Sequence, residues 1–495
     1  MLFRSASPAA AADVRPIAEI KSLGDAETRS KPRAVIRGVV TWRNEQSRVM
    51  FVQDATAGIY TVLPRERPDE KLPAEAQVGA EVEAEVTIRP GGFASYVEID
   101  SVRVIGPAPL PEPRPFDEHR FFTGADDGLF VEVTGVVRGV REEQFLWRLF
   151  VAHRTRVFEV ECRKAAMPAD FGGWCQSLVD GEVRFRGIST TSFNARGEPL
   201  AQRLFVSRAD WIEPVAISAH EPFAAPKVAI DAVARYRLEP IDDHMIRTEG
   251  TVVHSLPGEA LYLQEGTHGL RVLTRSPQAF APGDRVEVAG FVDRGGTVAG
   301  LSEAVVRRVS HGEPPAPIDI TPDAVAKIHA RSADTYVIAD PGDYEGCLVR
   351  FPATLLERKA GNQSDLLVLA AGETSVTARL HPADLAALGR LEPGSRLLMT
   401  GVLHVVRATE AVKWPLAPPT SMELAPRTAA DITILARPSW WTPRRLAIVL
   451  AGAGVALAAA MGWVFALRRQ VRRQMREIED GLRMEAVAEE RQRIA

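Results

Sequence analysis

VMFVQDATAGIYTVL, residues Val49–Leu63, recurs roughly two hundred residues later as ALYLQEGTHGLRVLT, Ala260–Thr274, and an internal repeat outranks every other feature in deciding a fold. Aligned, Gln53 falls on Gln264, Asp54 on Glu265, Thr56 on Thr267 and Gly58 on Gly269. Apolar residues alternate on both sides of a short turn rich in Asp, Thr and Gly, which predicts a β-hairpin. The polar residues Gln53, Asp54, Thr56, Gln264, Glu265 and Thr267 have two readings. They form a ligand site, or they bond their own backbone at the turn, and Asp and Thr at hairpin turns favour the second.

Working outward, each hairpin is preceded by an apolar, β-branched strand, and this opening occurs four times: AVIRGVVTW from Ala34, VEVTGVVRGV from Val131, IRTEGTVVHS from Ile246 and CLVRFPATLL from Cys347. The spacing is about one hundred residues, the size of a small domain. Gly38, Gly135 and Gly250 interrupt the first three, as a sharply bent barrel strand requires. Pro352 and Ala353 occupy that place in the fourth, the degenerate copy. The hairpin is weaker in LFVAHRTRVFEVE and LLVLAAGETSVTARL, the second and fourth copies. A later strand following a Gly turn recurs in all four, at Val78, Asp180, Pro282 and Pro393. Pro-rich stretches close each copy: GPAPLPEPRP, EPVAISAHEPFAAP, GEPPAPIDITP and PLAPPTSMELAP. Such stretches are expected to be stiff spacers between compact units.

The pattern resembles the OB-fold, a five-stranded Greek-key barrel. The expected fold is mainly β: four tandem OB-like β-barrel modules, at residues 34–110, 131–215, 246–310 and 347–428, then one transmembrane helix and a cytoplasmic coiled-coil helix. Residues 1–33 read as a signal-peptide remnant and a short lead-in, because MLFRSASPAAAADVRP looks like a cleavage region without an apolar stretch ahead of it.

Composition narrows the chemistry. OB-folds often bind single-stranded nucleic acid, which needs a basic groove and aromatic platforms. This chain has a net charge of −4 and 7% aromatic residues, and the arginines around and after the apolar segment leave the preceding region more acidic still, so no nucleic-acid partner is expected. Three cysteines without a CxxC exclude a disulfide scaffold and a zinc ribbon; Cys162 and Cys175 share one module and could bridge. The ten histidines are scattered, without His-x-x-His, Gly-x-Ser-x-Gly or Walker-type stretches. No catalytic, cofactor-binding or metal-binding residues are expected.

Leu446–Leu467 reads LAIVLAGAGVALAAAMGWVFAL, an uncharged stretch long enough at about 1.5 Å per residue to cross a hydrocarbon core of about 30 Å. Trp440, Trp441 and Trp463 are placed as interface anchors. Arg468, Arg469, Arg472, Arg473 and Arg476 outnumber Arg444 and Arg445, so the C-terminal side is expected in the cytoplasm and the modules in the periplasm, on a bacterial inner membrane.

Beyond the span, Val471, Met475, Ile478 and Leu482 form a short a/d stripe that predicts a coiled-coil homodimer, and the phase slips toward Ile494. The last residues, AEERQRIA, resemble the opening of the dimerisation and phosphoacceptor helix of sensor histidine kinases that work with LuxR-type response regulators. Glu490, Arg491, Arg493, Ile494 and Ala495 match that wording, and a string of OB-like modules before one span resembles the layout of certain members. The resemblance implies that the chain is an N-terminal fragment, cut about four residues before the phosphoacceptor histidine. It implies a response regulator as partner, with ATP and Mg belonging to a kinase domain outside these residues, so this chain should not autophosphorylate. The alternative is a non-catalytic, membrane-anchored periplasmic binding or scaffold protein. The stimulus has no signature in the sequence.

Overall fold

The computed structural model describes residues 13–494 apart from 92–93, 155, 195–198, 218–220, 235–242, 294–298, 322–343, 362–363, 373, 381–383, 385–387, 389–390, 407–420 and 439–442. In module 1, five strands (Arg33–Asn44, Val49–Gln53, Gly58–Val62, Ala80–Arg89 and Tyr96–Pro107) close into a barrel in the order first, second, third, fifth, fourth. The third and fifth run parallel and every other neighbour is antiparallel. Module 3 repeats this cycle with Ile246–Leu256, Ala260–Glu265, His268–Leu273, Asp284–Asp293 and Gly300–His311. Modules 2 and 4 contain the same cycle inside seven-stranded sheets, closed by pairing of Phe130–Glu142 with Glu182–Phe193 and of Leu348–Lys359 with Arg396–Val406. All four modules are therefore OB-like Greek-key barrels.

The sequence dictates these strands through period-two burial. Ala80–Arg89 alternates buried and partly exposed residues, placing Val82, Ala84, Val86 and Ile88 in the core. The first strand of every module breaks register at the same point, between Val40 and Trp42, Val137 and Gly139, Val252 and His254, and Leu355 and Glu357. These bulges let one strand turn the corner and pair with two neighbours. Gly38 makes the bend possible, because a Cβ there would sit 2.6 Å from the carbonyl oxygen of Gln53.

Three expectations need correction. The Pro-rich stretches are not spacers, since neighbouring modules pack directly on one another. Ser421–Ala425, inside PLAPPTSMELAP, is the fifth strand of module 4, with Met422 and Leu424 buried in its core. Ile212–Ala216 and Ile432–Ala436 add edge strands, carrying modules 2 and 4 to Ala216 and Ala436; Pro214 is tolerated there because an edge strand can spare an N–H. Residues 13–33 belong to module 1. The short helix Ile17–Lys21 seals its barrel with Ile17 and Ile20, both fully buried. Helix Ile230–Ala234 does the same in module 3 with Ile230 and Val233.

After module 4, one uninterrupted helix runs 52 residues from Pro443 to Ile494. It is long and apolar enough to cross a membrane. Its large apolar side chains are exposed among the described residues: Trp463 is 73% exposed, and Val471, Met475, Ile478 and Leu482 are exposed as well. Backbone helix continues through Glu490, Arg491, Arg493 and Ile494. Ala495, Trp440 and Trp441 lie outside the described residues.

Candidate functional site: the seam and cleft between modules 1 and 2

The repeated hairpins lie where modules meet. Gln53 ends the second strand of module 1, and its Oε1 accepts a 2.8 Å hydrogen bond from the backbone N–H of Phe130, the first residue of the module 2 barrel. Gln264 makes the equivalent 2.9 Å bond to the N–H of Leu348, at the start of module 4. Beside each glutamine the two backbones approach so closely that no side chain fits. A Cβ on Gly58 would lie 1.9 Å from the carbonyl oxygen of Gly128, and one on Gly269 would lie 2.4 Å from that of Glu345. Gly128 and Gly346, on the far sides, have φ of +83° and +73°, a conformation open to glycine. Modules 1 and 2 therefore dock as modules 3 and 4 do.

The seam between modules 2 and 3 is built differently. Arg138 donates to the carbonyl of Val292, pairs with Asp243 and lies over the Phe291 ring, while Asp180 accepts from the N–H of Met245.

Of the other residues singled out at the turns, Asp54 and Thr56 hold backbone. One oxygen of Asp54 accepts from the N–H groups of Thr56 and Ala57, closing the turn, and the other accepts from the N–H of Ile17. Thr56 Oγ1 accepts from the N–H of Ala18. Together they cap the helix that seals barrel 1, satisfying N–H groups that a helix start leaves unpaired. Glu265 is exposed, and the Thr267 carbonyl accepts from Cys347 Sγ.

The seam of modules 1 and 2 opens into a cleft of about 690 Å³. Its floor is aromatic. Trp42 stacks on Phe205 at 4.7 Å between centroids, and Phe51 meets Phe205, Tyr60 and Trp42 edge to face. Tyr60 then meets Tyr96 at 6.1 Å, with the ring planes at 77°. Aromatic residues, sparse in the chain as a whole, are concentrated here. The missed signal was Tyr60 at an outward position of its strand, where module 3 carries Arg271.

Charge at the cleft is internally compensated. Lys21 Nζ donates to the Asp127 carbonyl oxygen and lies 4.0 Å from its carboxylate. Burial pushes the Lys21 ammonium below its ordinary pKa, against the pull of Asp127 and Asp126. Burial likewise pushes the Asp127 carboxyl up, opposed by Lys21 and the N–H of Thr191. Arg203 is held by Glu159 and Glu161, and Glu98 by Arg89. Burial also raises Tyr60.

Cys162 and Cys175 are unbridged thiols in the module 2 core. Among the described residues, no three His, Cys, Asp or Glu side chains gather as a metal site.

No family model and no curated protein matches the chain. Among solved structures it is similar to the hypothetical protein ygiW from E. coli, at 16% identity over 19% of this chain and 90% of that one, with a TM-score of 0.16. It is also similar to asparaginyl-tRNA synthetase from Pyrococcus horikoshii, at 17% identity over 23% and 25% of the two chains, TM-score 0.18. A third is fission yeast Pot1, in a structure with ssDNA, at 12% identity over 42% and 90%, TM-score 0.21. The assignment of OB-like barrels rests on the strand pairing described above.

Proposed function

We propose that the chain is the extracytoplasmic sensor and membrane-spanning part of a two-component sensor histidine kinase of a bacterial inner membrane. The observation that carries this reading is the helix Pro443–Ile494, which runs without a break from an apolar stretch through the stripe Val471, Met475, Ile478 and Leu482. A lipid bilayer covers its first part, and the same helix of a second copy covers Val471, Met475, Ile478 and Leu482. A displacement of the periplasmic modules then reaches the cytoplasm through one rigid element, provided the signal stabilises one of two arrangements more than the other. The kinase step itself, with its phosphoacceptor histidine, ATP and Mg, belongs to residues beyond Ala495, and a response regulator receives the phosphoryl group. The reading frame downstream of Ala495 tests this. It should encode a histidine about four residues on and then an ATP-binding domain, spaced as the resembled family places them. A stop codon at that point contradicts the kinase. The second reading, a membrane-anchored binding or scaffold protein, is favoured by the aromatic cleft, which needs no kinase to be useful.

A further inference from the structure

The two matching seams provide an internal comparison. Strand register places Tyr60 of module 1 on Arg271 of module 3, Tyr96 on Gly300 and Ser95 on Ala299. Across the seam, Asp127 precedes Gly128 as Glu345 precedes Gly346. In the second seam His404 Nδ1 lies 2.6 Å from Glu345 Oε1, and the remaining space is about 30 Å³. Docking through Gln and Gly therefore does not by itself create an opening. The open cleft also differs from the closed seam in its lining, which carries the rings of Tyr60 and Tyr96 where module 3 has Arg271 and Gly300.

From this we infer that the cleft between modules 1 and 2 binds a neutral saccharide of one or two rings. Tyr60 and Tyr96 stand nearly perpendicular, forming a corner that receives the flat apolar face of a sugar ring on one aromatic plane and its edge on the other. The walls beside that corner carry Arg203, Glu98 and Lys21, each fixed by an ion-pair or hydrogen-bond partner and each able to bond hydroxyls. A purely apolar ring would strip water from these groups and return no hydrogen bonds, leaving their remaining donors and acceptors unsatisfied. For a charged ligand, Lys21, Arg203 and Glu98 are already engaged by Asp127, by Glu159 and Glu161, and by Arg89, and the other two charged lining residues, Arg65 and Glu66, are of opposite sign. A neutral saccharide combines an apolar face with several hydroxyls and carries no charge. The site stands apart from the kinase reading, since binding requires neither a dimer nor a kinase domain.

The test is a glycan array probed with the full chain, solubilised in a detergent without a sugar headgroup and displaying neutral, sialylated and sulfated glycans. Hits would be followed by calorimetry on wild type, Tyr60→Ala, Tyr96→Ala and Arg271→Ala. Neutral glycans should bind, each tyrosine variant should weaken them at least tenfold, and Arg271→Ala at the matching closed seam should leave affinity unchanged. Tyr60→Phe, which retains the ring, should keep binding within a fewfold and guards against loss of fold. Absence of neutral hits, binding confined to charged glycans, or tyrosine-to-alanine variants that bind like wild type would each overturn the inference.

Discussion

Gln53 of one barrel accepts, through Oε1, the backbone N–H of Phe130 of the next, at 2.8 Å and away from water. A single amide side chain thus satisfies the first donor of the neighbouring module. Gln53→Leu keeps the size and removes the acceptor, leaving a buried N–H unpaired at a cost of about 1–3 kcal/mol. Hydrogen exchange read by mass spectrometry should show faster exchange around Phe130 and unchanged exchange around Leu348. Gln264→Leu should give the reverse.

Gly58→Ala should be more damaging than its size suggests. The added methyl meets a backbone carbonyl of module 2, which cannot rotate aside, so the seam must open, at about 1–3 kcal/mol or more. Gly173→Ala, where a Cβ has open space within a helix, should be neutral or slightly stabilising. Thermal unfolding of both variants checks the contrast.

How these positions appear in the sequence explains what was legible. Period-two alternation and Gly turns were enough to find four barrels and one apolar helix. The strongest similarity, between the hairpins of modules 1 and 3, predicts a shared fold element that copies two and four match less well. The structure gives another cause: Gln53, Gly58, Gln264 and Gly269 are docking residues, present only in the first member of each docked pair. The barrel needs only apolar alternation, and modules 2 and 4 have it. The cleft was illegible because Lys21, Tyr60, Tyr96, Asp127 and Phe205 come from five separate segments brought together by docking. Pro-rich composition also misled where proline only flanks a strand, as at Ser421–Ala425.

The half-buried Lys21–Asp127 contact should leave opposite marks on stability at the two ends of the pH scale. Asp127 has a raised carboxyl pKa in the folded chain, so its contribution is full below about 3.8 and is lost as pH rises through the folded value. Relative to Asp127→Asn, the wild type should gain thermal stability as pH falls from neutral through that window. Lys21 has a lowered pKa, so the unfolded chain binds more protons between the folded value and 10.5. Relative to Lys21→Met, the wild type should gain stability as pH rises through that range. Parallel melting curves from acid to alkaline pH read both signs.

The thiols should be silent in the native protein. Burial pushes Cys175 up to about 12 and Cys162 well above the ordinary thiol value, so neither forms the reactive thiolate at neutral pH. Cys347 is buried too, with its thiol directed to the Thr267 carbonyl. Ellman titration should find no reactive thiol until denaturant is added, and then all three. Two missing thiols after unfolding would show a Cys162–Cys175 bridge instead.

The central claim is that the helix after module 4 crosses a membrane and pairs with its copy just beyond. Single cysteines placed in turn from Arg468 to Arg483, in native membranes treated with a mild oxidant, measure this directly. Cross-linked dimer should peak at 471, 475, 478 and 482 and fall at the positions between, following the exposed apolar stripe. Uniformly low cross-linking, or a profile without that spacing, would contradict the paired signalling helix.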